Sequence, residues 1–417
     1  MPHTVALVLT GYSPVRFAGL DVTERAALVA SRAGASHVHI SGAAPVDDAT
    51  VGRLRSRGLV VTFGKRSARP FEDVPSADLL LVLPVFTIVE PAALRLLCRR
   101  WAGSGKPALA LDCRPVLGTD IVAMSGDALE RVRGAACIPE ALRRLAAAGR
   151  LGTITVAPYY CARLSDQRDV ARVERAYLRH TNGGDGEGLF TRNIRAFSIP
   201  VSRLLLRLPI TANHVTLVGF ALSLNAGAAF SRGTYAAGLV GALFYWASMV
   251  LDCSDGEVAR ARLGDSPFGA WLETVTDYIS YFAVLGGILW GDRLDVDFAR
   301  HVVAAAIGGG ATLAIMTIVG YLRARIAHAN PGALDDALAA QLQRGTRFQR
   351  FTGWGRQLIK RSFLAHLILF QALIGHLPAL AEIWACGALG ALLVLLGVQA
   401  HLIRSVRVEP LRPTVSP

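Results

Sequence analysis

Four acidic residues stand at regular spacing beside two apolar segments in the second half of the chain. Asp252 and Asp255 are three residues apart, and Glu273 and Asp277 are four apart, so each pair lies on one face of a helix. The flanking runs, YAAGLVGALFYWASMV and YISYFAVLGGILW, are almost entirely apolar. Ionisable side chains near membrane depth are costly and mark functional sites. The spacing therefore predicts a functional cluster of carboxylates.

Such a cluster has a definite chemistry. Converging carboxylates repel each other unless cations bind between them, and their hard oxygen atoms suit Mg²⁺ or Mn²⁺. Two such ions close together clamp a phosphoryl centre and activate an attacking oxygen. The small residues Gly256, Ala259 and Gly269 would let a flat group approach the helices. Arg260 adds a fixed positive charge nearby. The alternative, helix-end carboxylates paired with neighbouring arginines, explains any single acid but not the complete pattern.

The complete pattern resembles a family signature. Residues 252–277 read D-x2-D-G-x2-A-R-x8-G-x3-E-x3-D, and this is similar to the motif of the CDP-alcohol phosphotransferases, which have Asp at the third acidic position. The segment ITANHVT (210–216) also resembles the opening of that family's first span, and the resemblance extends over residues 189–405. It implies transfer of a substituted phosphate from a CDP-alcohol to an acceptor hydroxyl, with release of CMP.

The same resemblance implies a role for each motif residue. Two divalent cations, Mg²⁺ or Mn²⁺, would be held by Asp252, Asp255, Glu273 and Asp277, and Asp277 would also take the proton of the acceptor hydroxyl. The CDP moiety would be held by Asp255, Gly256, Ala259, Arg260 and Gly269. Because Glu273 is longer than Asp, we expect an altered metal preference with activity retained; the alternative is an inactive member of the family.

The apolar blocks after Thr211 have the length that spans a bilayer. We expect six spans, near 212–230, 235–251, 270–290, 302–322, 362–377 and 381–403. Arginine and lysine concentrate between spans four and five, at Arg323, Arg325, Arg344, Arg347, Arg350, Arg356, Lys360 and Arg361. By the positive-inside rule this connection is cytosolic. The start of the chain lacks the features of a signal peptide, so we expect the first half and the active site on the cytosolic side of the inner membrane.

The first half alternates short apolar runs with helical patterns that end in glycine, which predicts a mostly parallel, doubly wound sheet. The fold expected is a soluble α/β nucleotidyltransferase-like domain followed by a six-helix all-α transmembrane domain. The expected boundaries are an α/β domain at 1–180, a glycine-rich linker at 181–188, an interfacial amphipathic helix at 189–209, the phosphotransferase domain at 210–405 and a tail at 406–417. An ordinary surface helix is the alternative for 189–209.

The joining of two such domains resembles the fused inositol-1-phosphate cytidylyltransferase and di-myo-inositol-phosphate-phosphate synthase arrangement. The nucleotidyltransferase signature is nevertheless incomplete. Gly11 and Arg16 remain of the expected glycine-rich loop, whereas Leu83 or Pro84 and Ala162 or Arg163 occupy the two expected metal-carboxylate positions. We therefore expect a degenerate first domain that stabilises, regulates or helps dimerise the enzyme. An active cytidylyltransferase, with Asp21, Asp112 or Asp120 as replacement ligands, is the alternative.

The composition of the chain limits the classes of partner that we expect. The net charge of +13 fits positive-inside topology and anionic lipid as well as it fits nucleic acid, and with membrane spans present we expect no nucleic-acid partner. The acceptor is expected to be a hydroxyl compound or a phosphorylated polyol, with Arg323 and Arg325 as its phosphate ligands. The alternative is that these arginines only enforce the topology and contact anionic headgroups. Family resemblance implies a homodimer. Two rivals from other classes are a membrane cation transporter, which would need acids through the depth of the bundle, and a non-catalytic scaffold.

Overall fold

A computed structural model describes residues 4–10, 15–42, 46–64, 69–113, 121–157, 159–164, 166–182, 189–326 and 361–406. The chain divides into two compact units. The first unit comprises Met1–Asp185 together with Ile199–Ala212 and Gly256–Asp265. The second comprises Gly186–Ser198, Asn213–Asp255 and Ser266–Pro417.

The first unit is built on a sheet of seven strands, which confirms the α/β prediction. The strands of this unit are β1 (Thr4–Thr10), β2 (Arg16–Phe17), β3 (Leu20–Asp21), β4 (His37–Gly42), β5 (Val60–Phe63), β6 (Leu79–Pro84), β7 (Thr87–Val89), β8 (Ala108–Asp112), β9 (Ile121–Met124), β10 (Leu151–Thr155) and β11 (Cys161–Arg163). The large sheet has the order β10-β8-β9-β6-β1-β4-β5. Strands β2 with β3, and β7 with β11, form two small antiparallel pairs.

Strand β9 departs from the predicted pattern. The pairs β1–β4, β1–β6, β4–β5 and β8–β10 are parallel as expected, but β9 runs antiparallel to both β6 and β8. Only the segment 113–120 separates β8 from β9, and a parallel connection needs a dozen or more residues. The connection is therefore too short for a parallel crossover, so the sheet is mixed.

Six helices accompany these strands in the described part of the first unit. They are α1 (Val22–Arg32), α2 (Asp48–Ser56), α3 (Pro91–Ser104), α4 (Gly126–Val132), α5 (Ile138–Ala147) and α6 (Gln167–Asn182). Four of them, α1, α2, α3 and α6, lie where the sequence showed helical spacing. Asp21 caps α1, since its carboxylate accepts a hydrogen bond from the Thr23 amide at 2.8 Å. The central strands are buried on both faces, as Leu80 and Leu81 show with no exposed surface.

The rest of the described chain is helical. Its helices are α7 (Leu189–Leu205), α8 (Ala212–Phe230), α9 (Tyr235–Ala261), α10 (Pro267–Gly291), α11 (Phe298–Ile326), α12 (Arg361–Leu373) and α13 (Leu380–Val406). Helices thus occur at all six places where spans were predicted. Within the described residues, two stretches combine the length and apolar composition needed to cross a membrane, Tyr235–Ala261 and Phe298–Ile318. The count of six spans stays a prediction.

Helices α8 and α10 approach each other closely through glycine. A Cβ atom on Gly287 would collide with the backbone of Gly227, and one on Gly227 would lie 2.5 Å from the carbonyl oxygen of Ala283. Small residues at such a crossing let two backbones meet, which is the usual device for packing helices in a membrane. This contact helps to fix α10, and with it Asp277, against α8.

Candidate active site

A small polar cleft lies among helices α8, α9, α10 and α12 of the second unit. Three of the four predicted carboxylates line it, and the other lining residues are mainly small or hydroxylated. The lining comprises Thr216, Gly219, Phe220, Ser223, Ser248, Asp252, Asp255, Thr276, Asp277, Ser280 and Arg361. The structure therefore brings Asp252, Asp255 and Asp277 to one place.

Helix α9 presents two of these acids. Asp252 and Asp255 share a helix face, and Asp255 is buried, with 4% of its surface exposed. The Thr216 hydroxyl on α8 donates a hydrogen bond of 2.6 Å to Oδ2 of Asp255. A hydrogen bond to an ionised oxygen is short and strong, and it fixes the direction of the carboxylate. Thr216 lies in the segment ITANHVT, but the sequence alone did not assign it this contact.

Helix α10 presents the third acid. Its start is set by Ser266, whose hydroxyl accepts a hydrogen bond from the Gly269 amide at 3.0 Å, and by Pro267 in the first turn. Asp277 lies two to three turns further along and lines the cleft. Glu273, one turn before Asp277, is exposed and does not line the cleft.

Arg361, at the start of α12, lies between the carboxylates. Its Nη1 atom donates to Oδ1 of Asp252 at 2.7 Å and also to Oδ1 of Asp277. Its guanidinium carbon lies 5.3 Å from the centre of the Tyr281 ring. Charge-assisted hydrogen bonds of this kind hold the two carboxylates close together. Sequence reasoning placed Arg361 only in a basic connection, because nothing in its spacing relates it to residues 109 and 84 positions earlier.

The donor set has the chemistry of a divalent-cation site. Carboxylate oxygens from α9 and α10 are the ligands that Mg²⁺ and Mn²⁺ prefer. Among the described residues, no three acid, histidine or cysteine side chains stand close enough together to enclose an ion. The positive charge between Asp252 and Asp277 is supplied by Arg361 instead. The residue types therefore suit a divalent cation. In this structure Arg361 supplies the positive charge between the carboxylates.

The residues expected to hold CDP lie close to these acids in sequence. Gly256 follows Asp255 on α9, and a Cβ atom there would lie 3.1 Å from Nη1 of Arg260, one turn later. A side chain at position 256 would therefore crowd the Arg260 guanidinium, which folds back along the helix. Gly269 makes similar room, since a Cβ atom there would lie 3.1 Å from Oδ1 of Asn213. Ala259 is partly exposed on the same helix as Arg260.

The expected acceptor ligands are only partly described. Arg323 and Arg325 lie near the end of α11, and their side chains are outside the described part of the structure. The remaining basic positions from Arg344 to Lys360 also lie outside the described residues. Arg361 is the member of that basic group that the structure describes, and it contacts the acids of the cleft.

In the first unit, the two positions where the sequence led us to expect metal carboxylates lie in strands β6 and β11. Strand β6 ends at Leu83 and Pro84, and β11 contains Ala162 and Arg163, as the sequence indicated. Of the possible replacement ligands, Asp21 is a helix cap, Asp112 ends β8 and Asp120 lies outside the described residues. Gly11, of the expected glycine-rich loop, also lies outside them. Arg16 is an exposed residue of β2.

Comparisons with known proteins agree with the motif. Residues 209–334 match the family model described as CDP-alcohol phosphatidyltransferase. One curated relative is a bifunctional IPC transferase and DIPP synthase from Aquifex aeolicus, 28% identical over 40% of this chain and 38% of its own length. Another is a phosphatidylinositol phosphate synthase from Mycobacterium marinum, 36% identical over 30% of this chain and 51% of its own length.

The matches are partial in extent. The chain spans about half or less of the length of these curated relatives. Among solved structures, the inositol-1-phosphate CTP transferase from T. maritima aligns with 43% of this chain and 97% of its own, at 13% identity and a TM-score of 0.34. The family match covers the motif itself, Asp252 to Asp277. Over residues 209–334 the chain therefore carries a domain of the CDP-alcohol phosphatidyltransferase family.

Proposed function

We propose that this protein is an integral membrane CDP-alcohol phosphotransferase. The observation that carries the proposal is the meeting of Asp252, Asp255 and Asp277 in one polar cleft, within a segment that matches this family. The acceptor hydroxyl oxygen forms a bond to the phosphorus that bears the alcohol, and the bond from that phosphorus to CMP breaks. The proton of the hydroxyl passes to the Asp277 carboxylate, and CMP leaves.

Different residues of the chain would bind the metal ions, orient the carboxylates and balance their charge. Asp252, Asp255, Glu273 and Asp277 would hold two Mg²⁺ or Mn²⁺ ions, which when bound neutralise charge at the phosphoryl group. Thr216 keeps Asp255 in one orientation through their hydrogen bond. Glu273, which is longer than Asp by one methylene, would contribute its carboxylate to the same ions. Arg361 balances the charge of Asp252 and Asp277.

The donor's CDP moiety is assigned to the second half of the motif. Asp255, Gly256, Ala259, Arg260 and Gly269 match the family pattern residue by residue, and Arg260 carries the positive charge that a diphosphate needs. The small size of Gly256 and Gly269 leaves room for the side chains of Arg260 and Asn213. The five residues would bind the CDP moiety that donors with different alcohols share.

The acceptor is proposed to be a phosphorylated polyol. Two relatives are named for inositol-phosphate products, a phosphatidylinositol phosphate synthase and a DIPP synthase. Arg323 and Arg325 at the end of α11 are the proposed ligands of its phosphate. The product would then be made in phospholipid or inositol-phosphate synthesis.

The membrane arrangement is proposed from the helices. Two stretches of the described chain are long and apolar enough to span, and we propose six spans with the N-terminal unit and the cleft on the cytosolic side of the inner membrane. Trp271 and Trp290 on α10 are 58% and 62% exposed. Nineteen residues of helix separate them, or about 28 Å, which matches the hydrocarbon thickness between two aromatic belts. A homodimer in contact with lipid completes the proposal.

A second activity in the first unit is not favoured. The two strand ends that would carry metal carboxylates hold Leu83 or Pro84 and Ala162 or Arg163. We propose instead that this nucleotidyltransferase-like unit supports the phosphotransferase. Incubation of the full chain with CTP, inositol phosphate and Mg²⁺ would test this, and release of pyrophosphate would contradict it.

The substrates are tested by product analysis with the purified full chain in detergent. CDP-diacylglycerol and CDP-inositol are each supplied with inositol phosphate, glycerol phosphate or free inositol, in Mg²⁺ and then in Mn²⁺, and products are identified by mass spectrometry. We expect one donor to react with a phosphorylated polyol. If no pair reacts, the Glu273→Asp variant decides between an untested alcohol and a core disabled by Glu273. Recovery of activity in that variant would contradict the proposal for the natural chain.

A further inference from the structure

The end of helix α9 belongs to the compact unit that contains the N-terminal sheet. The segment Gly256–Asp265, which includes the motif residue Arg260, groups with Met1–Asp185 rather than with the other helices. Val258, Ala261 and Leu263 are buried in the same apolar core as Phe17 and many residues of α1 and β4. This core holds the turn after α9 in place within the first unit, and hydrogen bonds fix the orientation of the turn.

Arg25 on α1 caps the end of α9. It is 1% exposed, and its Nη1 atom donates to the carbonyl oxygen of Ala261, the last residue of that helix. Its guanidinium carbon lies 4.6 Å from the ring centre of Phe17 and 5.1 Å from that of Tyr177. The last carbonyls of a helix lack partners within it, and the negative end of its dipole favours a cation. Arg25 supplies both the donor and the charge.

Arg262, just after α9, fixes the turn that follows this helix by hydrogen bonds to backbone carbonyl groups. Its guanidinium donates to the carbonyl of Ala18 at 3.3 Å, and to those of Leu206 at 3.0 Å and Leu208 at 2.7 Å. Gly19 has a φ of +80°, and a Cβ atom there would lie 3.4 Å from the Leu206 carbonyl oxygen. The β2–β3 turn is therefore shaped so that its backbone reaches Arg262.

Asn182 contacts the motif arginine directly. It is the last residue of α6 and is 3% exposed. Its side-chain nitrogen donates to the Leu178 carbonyl at 2.7 Å, which leaves its oxygen to accept a hydrogen bond from Nη2 of Arg260. A buried amide fixed at both ends restricts the guanidinium to one orientation.

We propose that the first unit acts in the phosphotransferase reaction as a support for the donor site, with Asn182 and Arg25 as positioning residues that act through Arg260 and the end of α9. This inference rests on the proposed function, which assigns Arg260 to the donor's diphosphate. It gives the first unit a role that needs no nucleotidyl transfer of its own.

The test compares CDP binding by full-length variants in detergent, measured by calorimetry. Asn182→Leu keeps the size of the side chain and removes the acceptor, whereas Asn182→Asp keeps an acceptor oxygen. Leu97→Ala is the control, because Leu97 is fully buried in the same core and touches none of these contacts. We expect Asn182→Leu to weaken CDP binding and raise the donor KM about tenfold, with the acceptor KM and kcat within about twofold of wild type. Asn182→Asp and Leu97→Ala should bind CDP within about threefold of wild type.

Arg25→Met gives a second readout that needs no ligand. We expect faster hydrogen exchange at the amides of residues 256–265 in this variant than in Leu97→Ala. A wild-type chain that binds no CDP would contradict the proposed function. A wild-type chain that binds CDP, with Asn182→Leu equal to the Leu97→Ala control, would overturn this inference alone. Unchanged exchange in Arg25→Met would likewise overturn the part assigned to Arg25.

Discussion

Arg361 donates a hydrogen bond of 2.7 Å to Asp252, although 109 residues separate them in the chain. The same nitrogen donates to Asp277, so one guanidinium joins the acids of α9 and α10. Three carboxylates share this cleft, and a positive charge among them offsets their mutual repulsion. The positive charge of Arg361 and that of a divalent cation would therefore compete for the same oxygens.

Arg361→Gln is expected to strengthen divalent-cation binding. Unit charges about 4 Å apart interact by roughly 1 to 4 kcal/mol, depending on the dielectric, so removal of this charge should lower the half-saturating Mn²⁺ concentration about fivefold or more. Electron paramagnetic resonance of free Mn²⁺ measures the binding directly. The matched control is Arg293→Gln, which removes an exposed arginine beside Trp290. Equal or weaker Mn²⁺ binding in Arg361→Gln than in this control would contradict competition.

Thr216→Val is expected to lower turnover about tenfold. The variant keeps the shape of the side chain and removes the 2.6 Å hydrogen bond to Asp255, and bonds to charged groups contribute about 1.5–3 kcal/mol. Thr276→Val serves as the control, because Thr276 also lines the cleft. Its hydroxyl donates to carbonyl oxygens of its own helix, including that of Leu272 at 2.9 Å. CMP release under saturating substrates compares them. If both variants keep the wild-type rate, Thr216 does not orient the carboxylate.

Gly287→Ala is expected to destabilise the helical unit by about 1–3 kcal/mol. The added methyl group would collide with the backbone of Gly227, which cannot move aside without separating α8 from α10. Its neighbour Gly286 is the control, since a Cβ atom there meets nothing within 4 Å. Thermal unfolding in detergent should show a lower midpoint for Gly287→Ala only. Equal midpoints for the two variants would show that the close approach is not required.

The contribution of Glu174 to the stability of the first unit is expected to fall as pH rises above about 4.5. Burial raises the pKa of the Glu174 carboxyl above its ordinary value of 4.5, while its hydrogen bond from the Ala18 amide, 2.9 Å long, opposes the shift. A raised pKa means that the folded state binds the proton more tightly, so this contribution is complete below the ordinary value and is lost as pH passes the raised one.

Glu174→Gln removes the titration and keeps an oxygen acceptor for Ala18. As pH rises from 4, the unfolding midpoint of this variant should increase relative to that of wild type. A difference that is constant with pH, or that changes in favour of wild type, would contradict the assignment.

The elements of the first half followed from local sequence patterns. Helices such as α3 and α6, and buried strands such as β6, appear where periodicity and glycine placed them. Strands β9 and β10, the four short strands and helices α4 and α5 were not predicted. Strand β9, a run of four residues at Ile121–Met124, carries little periodic signal. Its antiparallel pairing depends on the length of the connection before it, and so on tertiary context.

The acids of the site were predictable, and their partners were not. Helical spacing alone puts Asp252 and Asp255 on one face, and the motif relates them to Asp277. Arg361 and Thr216 come from helices far away in sequence, and their contacts depend on how α8 and α12 pack. The contact of Asn182 with Arg260 is likewise a consequence of packing, because 78 residues separate the two.

The most direct test of the central claim is metal-dependent CMP release by the full chain, compared between wild type and Asp277→Asn. The variant keeps the size of the side chain and removes both its charge and its ability to take a proton from the acceptor. We expect Mg²⁺- or Mn²⁺-dependent CMP release from a CDP-alcohol in wild type, and a loss of at least about a hundredfold in the variant. Equal CMP release by the two proteins would show that the cleft of Asp252, Asp255 and Asp277 is not the site of phosphoryl transfer.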